Sequence, residues 1–141
     1  MRKLSYRSPL FWLTLAVAVG IIVIGVRFLL VPYAAARAFG VPLADRQDTA
    51  FLFVKGIRDI VSGLLFLALL WSGERRLTGA FLLIATLIPV SDGLIVFSTI
   101  GWSSALAIHW GTASYMLLVS LALLRRNNKV REDHSDMAIA A

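Results

Sequence analysis

Apolar residues run along this chain in blocks long enough to cross a bilayer, separated by short polar stretches. The blocks cover about residues 9–31, 50–71, 77–99 and 103–124. Each is close to the roughly 20 apolar residues that a helix needs to cross the hydrocarbon core. The pattern predicts an all-α protein, a four-helix transmembrane bundle, as one membrane domain over residues 1–126. The remaining residues, 127–141, read as a flexible polar cytoplasmic tail.

The breakers between blocks fit this division. Pro32 ends the first helix, and "YAAARAF" reads as a short helical piece at the membrane surface, closed by Gly40 and Pro42. Asp45 or Asp48 can cap the next helix. "SGERR" and "IGWSS" are tight turns. A cleavable signal peptide is the rival reading of the first block. Its apolar stretch exceeds the roughly 7–15 residues of a signal core, which favours a retained span.

Composition sharpens the class. Of 141 residues, 59% are apolar and 16% charged, against about a quarter charged in soluble domains. Cysteine is absent, which removes disulfides, thiolate metal sites and cysteine nucleophiles. The net charge of +6 lies mostly at block ends. It therefore signals topology and anionic lipid contact rather than nucleic acid. Nine basic residues flank one side: Arg2, Lys3, Arg7, Arg75, Arg76, Arg125, Arg126, Lys129 and Arg131. Only Arg37 and Arg46 lie in the connections of the other. The positive-inside bias predicts both termini in the cytoplasm.

Candidate chemistry comes from charges inside the blocks. At about 1.5 Å per residue from the outer helix ends, Arg27 lies about 6 Å deep, Lys55 about 8 Å, His109 about 9 Å and Asp92 about 10 Å, with Arg58 and Asp59 at about 12–14 Å. Six ionisable residues from four helices thus share one layer, and the inner halves hold none. Lys55, Arg58, Asp59 and Ser62 also share a helix face, which should turn inward. The bland readings are snorkelling for Arg27 and Lys55, and an ordinary carbonyl-bonded histidine for His109. A purely structural pairing would join Arg58 with Asp92 and Lys55 with Asp59, since adjacent Arg58 and Asp59 diverge by about 100°.

Three further features bear on packing. Pro89 frees the Ala85 carbonyl and bends the third helix, and Gly93 admits a close neighbour. Ser103, Ala107 and Gly111 form a small-residue ridge suited to helix contact, with His109 nearly opposite. Phe11, Trp12, Trp71, Trp102 and Trp110 read as interfacial anchors.

No phosphate loop, dinucleotide glycine pattern or complete triad is present. One intramembrane histidine without cysteine argues against a metal, and no cofactor is expected. Transport by the usual inverted-repeat route would need a homo-oligomer, which the sequence leaves open.

The stretches "GVRFLLVPYAAARAFGVP", "KGIRD", "LIPVSDGLIVF" and "ALAIHWGTA" together resemble the family called domain of unknown function 4267, over about Gly25 to Leu124. The resemblance implies a small four-span bundle of bacteria and fungi, expected here as an integral protein of a bacterial inner (plasma) membrane, and no known activity. Read from the residues, Arg27, Lys55 and Arg58 outnumber the acids Asp59 and Asp92. A pocket of Arg27, Lys55, Arg58, Asp59, Asp92 and His109 would suit a lipophilic small molecule with an acidic or carbonyl head. The alternative is a cofactor-independent isomerase or cyclase with Asp92, His109 and Asp59 as acid–base groups. A third class is a structural or partner-binding membrane subunit.

Overall fold

A computed structural model describes residues 4–41 and 49–125. Within these residues every regular element is helical: α1 Pro9–Leu30, α2 Pro32–Phe39, α3 Thr49–Ser72, α4 Arg75–Ala85, α5 Leu87–Ile100 and α6 Ser104–Leu124. The four expected blocks correspond to α1, α3, α4 with α5, and α6. The expected caps Asp45 and Asp48, Pro42, and the tail 127–141 lie outside the described residues.

Helix ends follow local chemistry. Pro9 sits in the first turn of α1, where no N–H is needed. Ser103 caps α6, its Oγ accepting from the Leu106 N–H at 3.3 Å. Gly40 ends α2 at φ +100°, a left-handed conformation that L side chains resist.

The third block is interrupted at one residue but keeps its helical path. Pro89 cannot donate to the Ala85 carbonyl, so α4 is regular to Ala85, Thr86 stays in the right-handed helical conformation, and α5 follows from Leu87 with Pro89 in its first turn. At the junction the Thr86 N–H reaches Leu82 O and Leu83 O, and its Oγ1 donates to Leu82 O at 2.9 Å.

Two helix pairs carry the packing. α1 and α3 meet along glycines: a Cβ at Gly25 would stand 2.6 Å from Gly56 O, and one at Gly56 only 2.8 Å from Gly25 O. Backbones this close gain dispersion contacts, the main attraction between helices where lipid removes the hydrophobic drive. The second pair joins α4 and α5 to α6. Gly93 does admit a close neighbour, Trp110, whose indole stands over it. Trp110 is thereby a packing residue between α5 and α6, as well as a member of an aromatic cluster with Phe97 and Trp102.

The expected α6 ridge points the wrong way. Ala107 and Gly111 are exposed, and nothing lies within 4 Å of a Cβ added at Gly111. The small residues that face inward are Ala105 and Ala113, on the face that His109 shares. A helix cannot bury both sides against one set of neighbours, and the inward side went to the histidine.

The two pairs close together at the end that holds the N-terminal segment, the α3–α4 turn and the end of α6. There Val17, Phe66, Leu70, Leu82, Met116 and Leu123 form one buried cluster. The Leu4 N–H donates to Gly73 O at 2.7 Å, and Arg75 Nη2 donates to Ala122 O at 2.7 Å. Towards the other end the pairs separate, and α2 folds over the gap with Ala35 and Ala36 buried. Outward faces stay apolar, with Val54, Leu64, Ile84, Leu94 and Leu118 exposed. Such faces suit lipid contact. α1, α6 and the run from Arg75 to Ile100 are long and apolar enough to cross a membrane. α3 is as long but carries Lys55, Arg58 and Asp59.

Candidate functional site

The charges on α3 do converge, around one buried carboxylate. Asp59 Oδ2 accepts from Lys55 Nζ at 3.0 Å, one helical turn back, as the four-residue spacing demands. Asp59 Oδ1 accepts from Arg58 Nε at 3.1 Å and Nη2 at 3.0 Å. The expectation that neighbours on a helix do not pair fails here. The long arginine stem folds back across the 100° divergence, while the short aspartate stays fixed. Arg58 remains near half-exposed, its side chain at 44%, and contributes nothing to the cavity wall.

Asp92 joins the group from α5. Its Oδ2 accepts from Lys55 Nζ at 3.2 Å, whereas Arg58 Nη2 approaches only to 3.8 Å. Lys55 therefore makes the shorter bridge from α3 to α5, and the expected Arg58–Asp92 pair forms as a longer ion contact. The result is two cations and two carboxylates in a closed quartet. Lys55 is further held by the faces of Phe28 at 5.0 Å and Phe39 at 4.6 Å. These ion pairs and ring faces account for the burial of the Lys55 ammonium.

His109 faces inward. Its Nε2 lies 2.9 Å from Phe39 O, and its ring meets the Phe39 ring edge-on at 4.5 Å. A carbonyl only accepts, so Nε2 carries the proton and, in the neutral ring, Nδ1 keeps its lone pair. Phe39 ends α2, whose last carbonyls have no partner within the helix. His109 thereby ties the cap helix to α6. Among the described residues no hydrogen bond joins His109 to Asp59 or Asp92, although all three line the same cavity. We expect His109→Ala to speed amide exchange across residues 32–41 about fivefold, as loss of one net hydrogen bond of about 1 kcal/mol implies. Hydrogen-exchange mass spectrometry measures this. Unchanged protection would show that the ring does not hold α2.

Above the buried cluster lies a cavity of about 320 Å³. Ile21, Phe66, Ile88 and Met116 make its deep apolar walls. Lys55, Asp59, Asp92 and His109 line its polar end beneath Phe39. Arg27 stands at the rim, exposed, and among the described residues it forms no ion pair or hydrogen bond. Phe28 and Phe39 were not singled out from the sequence. Their only signal was the RF-x-x-x-P stretch and the "ARAF" preceding Gly40, and nothing there indicated that α2 folds over the layer.

Fold and site together define a small helical protein with apolar, membrane-length helices and a charged layer near one end. A family profile described as "Domain of unknown function (DUF4267)" matches residues 18–123, well over half of the chain, and the chain belongs to that family. No curated protein matches it. No solved structure does either.

Proposed function

We propose that this protein is a four-span membrane bundle, both termini cytoplasmic and in a bacterial inner membrane, whose outer-end cavity binds a lipophilic small molecule with an acidic or carbonyl head. The observation that carries this reading is an apolar cavity whose far end is polar, with a cation at its rim, Arg27, that pairs with none of the described residues. Ligand pockets share this make-up: mostly apolar walls and a few fixed polar groups. Depth in the bilayer adds to it, since ionisable groups there are costly and ordinarily serve a function. The nine-to-two distribution of basic residues supports the orientation.

A second reading rests on the quartet itself. Its cations and carboxylates satisfy one another, as a purely structural lock would require. Asp92→Asn separates the readings. In a binding protein the variant folds and its affinity for the co-purifying molecule changes. In a locked structural subunit the bundle loses stability and no ligand is found. In an enzyme the fold stands and turnover of the lipophilic substrate stops.

A further inference from the structure

The walls of the cavity are not equally closed. Of the residues that line it, those exposed are Ile24 and Arg27 on α1, Ala38 on α2, and Ile108 and Thr112 on α6. None belongs to α3, α4 or α5. On the α3–α5 side the Lys55–Asp92 contact at 3.2 Å joins the walls. Over the top, Phe39 is bound to His109. Towards the buried cluster α1 and α6 are tied again, where Tyr115 Oη donates to Leu13 O at 3.1 Å. What remains is a side window between α1 and α6, flanked by Ile24 and Ile108 and rimmed by Arg27.

The charges around this window are not equivalent. Lys55 and Arg58 are already engaged by Asp59 and Asp92, whose carboxylates would repel an anion brought between them. Among the described residues that line the cavity, Arg27 alone offers an unshared guanidinium. Its planar fork matches a carboxylate and is the stronger partner for an anion than for a neutral carbonyl. A volume of about 320 Å³ is at the small end of ligand pockets and suits one acyl chain rather than two.

We infer that the cavity takes a single-chain, long-tailed carboxylate directly from the bilayer through the α1–α6 window, with the head held by Arg27 at the rim and the tail lying against Phe66, Ile88 and Met116. This inference rests on the reading of the cavity as a ligand site and narrows it in ligand class, route and head-group residue. The quartet then serves to hold the far wall shut rather than to grip the head.

The test uses the full-length protein in phosphatidylcholine nanodiscs, with a palmitate carrying a diazirine in its chain and the matching long-chain alcohol as probes. Saturable photolabelling by the acid is expected on peptides containing Ile24 and Ile108. Arg27→Gln should raise the half-saturating concentration about tenfold or more, the scale of one charge-assisted hydrogen bond, while Arg27→Lys retains most of the affinity. The alcohol should label wild type at least about tenfold more weakly. Equal labelling by acid and alcohol, or no effect of Arg27→Gln in a monodisperse variant, overturns the head-group assignment but leaves the cavity a ligand site. Displacement of the palmitate probe by phosphatidylglycerol at matching concentration overturns the single-chain assignment. Saturable labelling confined to α3 and α5 overturns the window. Absence of saturable labelling by either probe overturns both this inference and the proposed function.

Discussion

Asp59→Ala is expected to destabilise the protein by about 3–5 kcal/mol, the cost of removing one partner from a buried ion pair. Asp59 is 5% exposed and accepts three hydrogen bonds from Lys55 and Arg58. Its loss strands Lys55, whose side chain is only 15% exposed, on Asp92 alone. Asp92→Asn should cost less, about 1–2 kcal/mol, because Asp92 accepts one hydrogen bond and asparagine keeps an acceptor oxygen. Unfolding in mixed micelles would rank the two. An Asp92 variant as damaging as Asp59→Ala would show that the bridge to α5, not the α3 pairing, holds the layer together.

Gly56→Val should be the other severe change, with loss of about 3 kcal/mol or more and separation of α1 from α3. The obstacle is backbone: a Cβ at Gly56 would lie 2.8 Å from Gly25 O, and an added side chain has no rotamer that avoids it. Only a wider helix spacing relieves the clash, and that forfeits the dispersion contacts along the whole seam. Gly111→Val and Gly20→Val are the matched controls, since no atom lies within 4 Å of a Cβ at either position. Both should fall within about 0.5 kcal/mol of wild type. Thermal unfolding of the four proteins in detergent decides this. Equal losses at Gly56 and Gly111 would mean that glycine's effect on the helix itself, not the α1–α3 contact, governs stability.

Much of the fold was readable because each helix is bounded by residues that act locally. Pro9, Gly40 and Ser103 mark ends through their own backbone or side-chain chemistry, and the blocks between them needed only apolar length. Depth placed Lys55, Asp59, Asp92 and His109 in one layer, and the structure brings the first three into contact. What escaped depends on the third dimension. Helical angles between Cα positions excluded the Arg58–Asp59 pair, which forms beside the expected Arg58–Asp92 contact because a flexible stem of several bonds can cross an angle that a short aspartate cannot. The α6 ridge was chosen for residue size alone, and size does not say which side meets a neighbour. Phe39 was missed because its role comes from α2 folding across the helix pairs, which brings it onto Lys55 and His109, 70 residues away from the latter. Gly25 and Gly56 likewise matter only as a pair, and nothing within either helix marks the partner.

The most direct test of the central claim is native mass spectrometry of the intact protein released from nanodiscs, comparing wild type with Ile88→Trp, which fills the deep apolar wall of the cavity. A discrete lipophilic species should travel with wild type and be absent from a folded Ile88→Trp. A clean apo mass for a wild-type bundle that survives release, or a bound species indifferent to the filled cavity, would contradict the account.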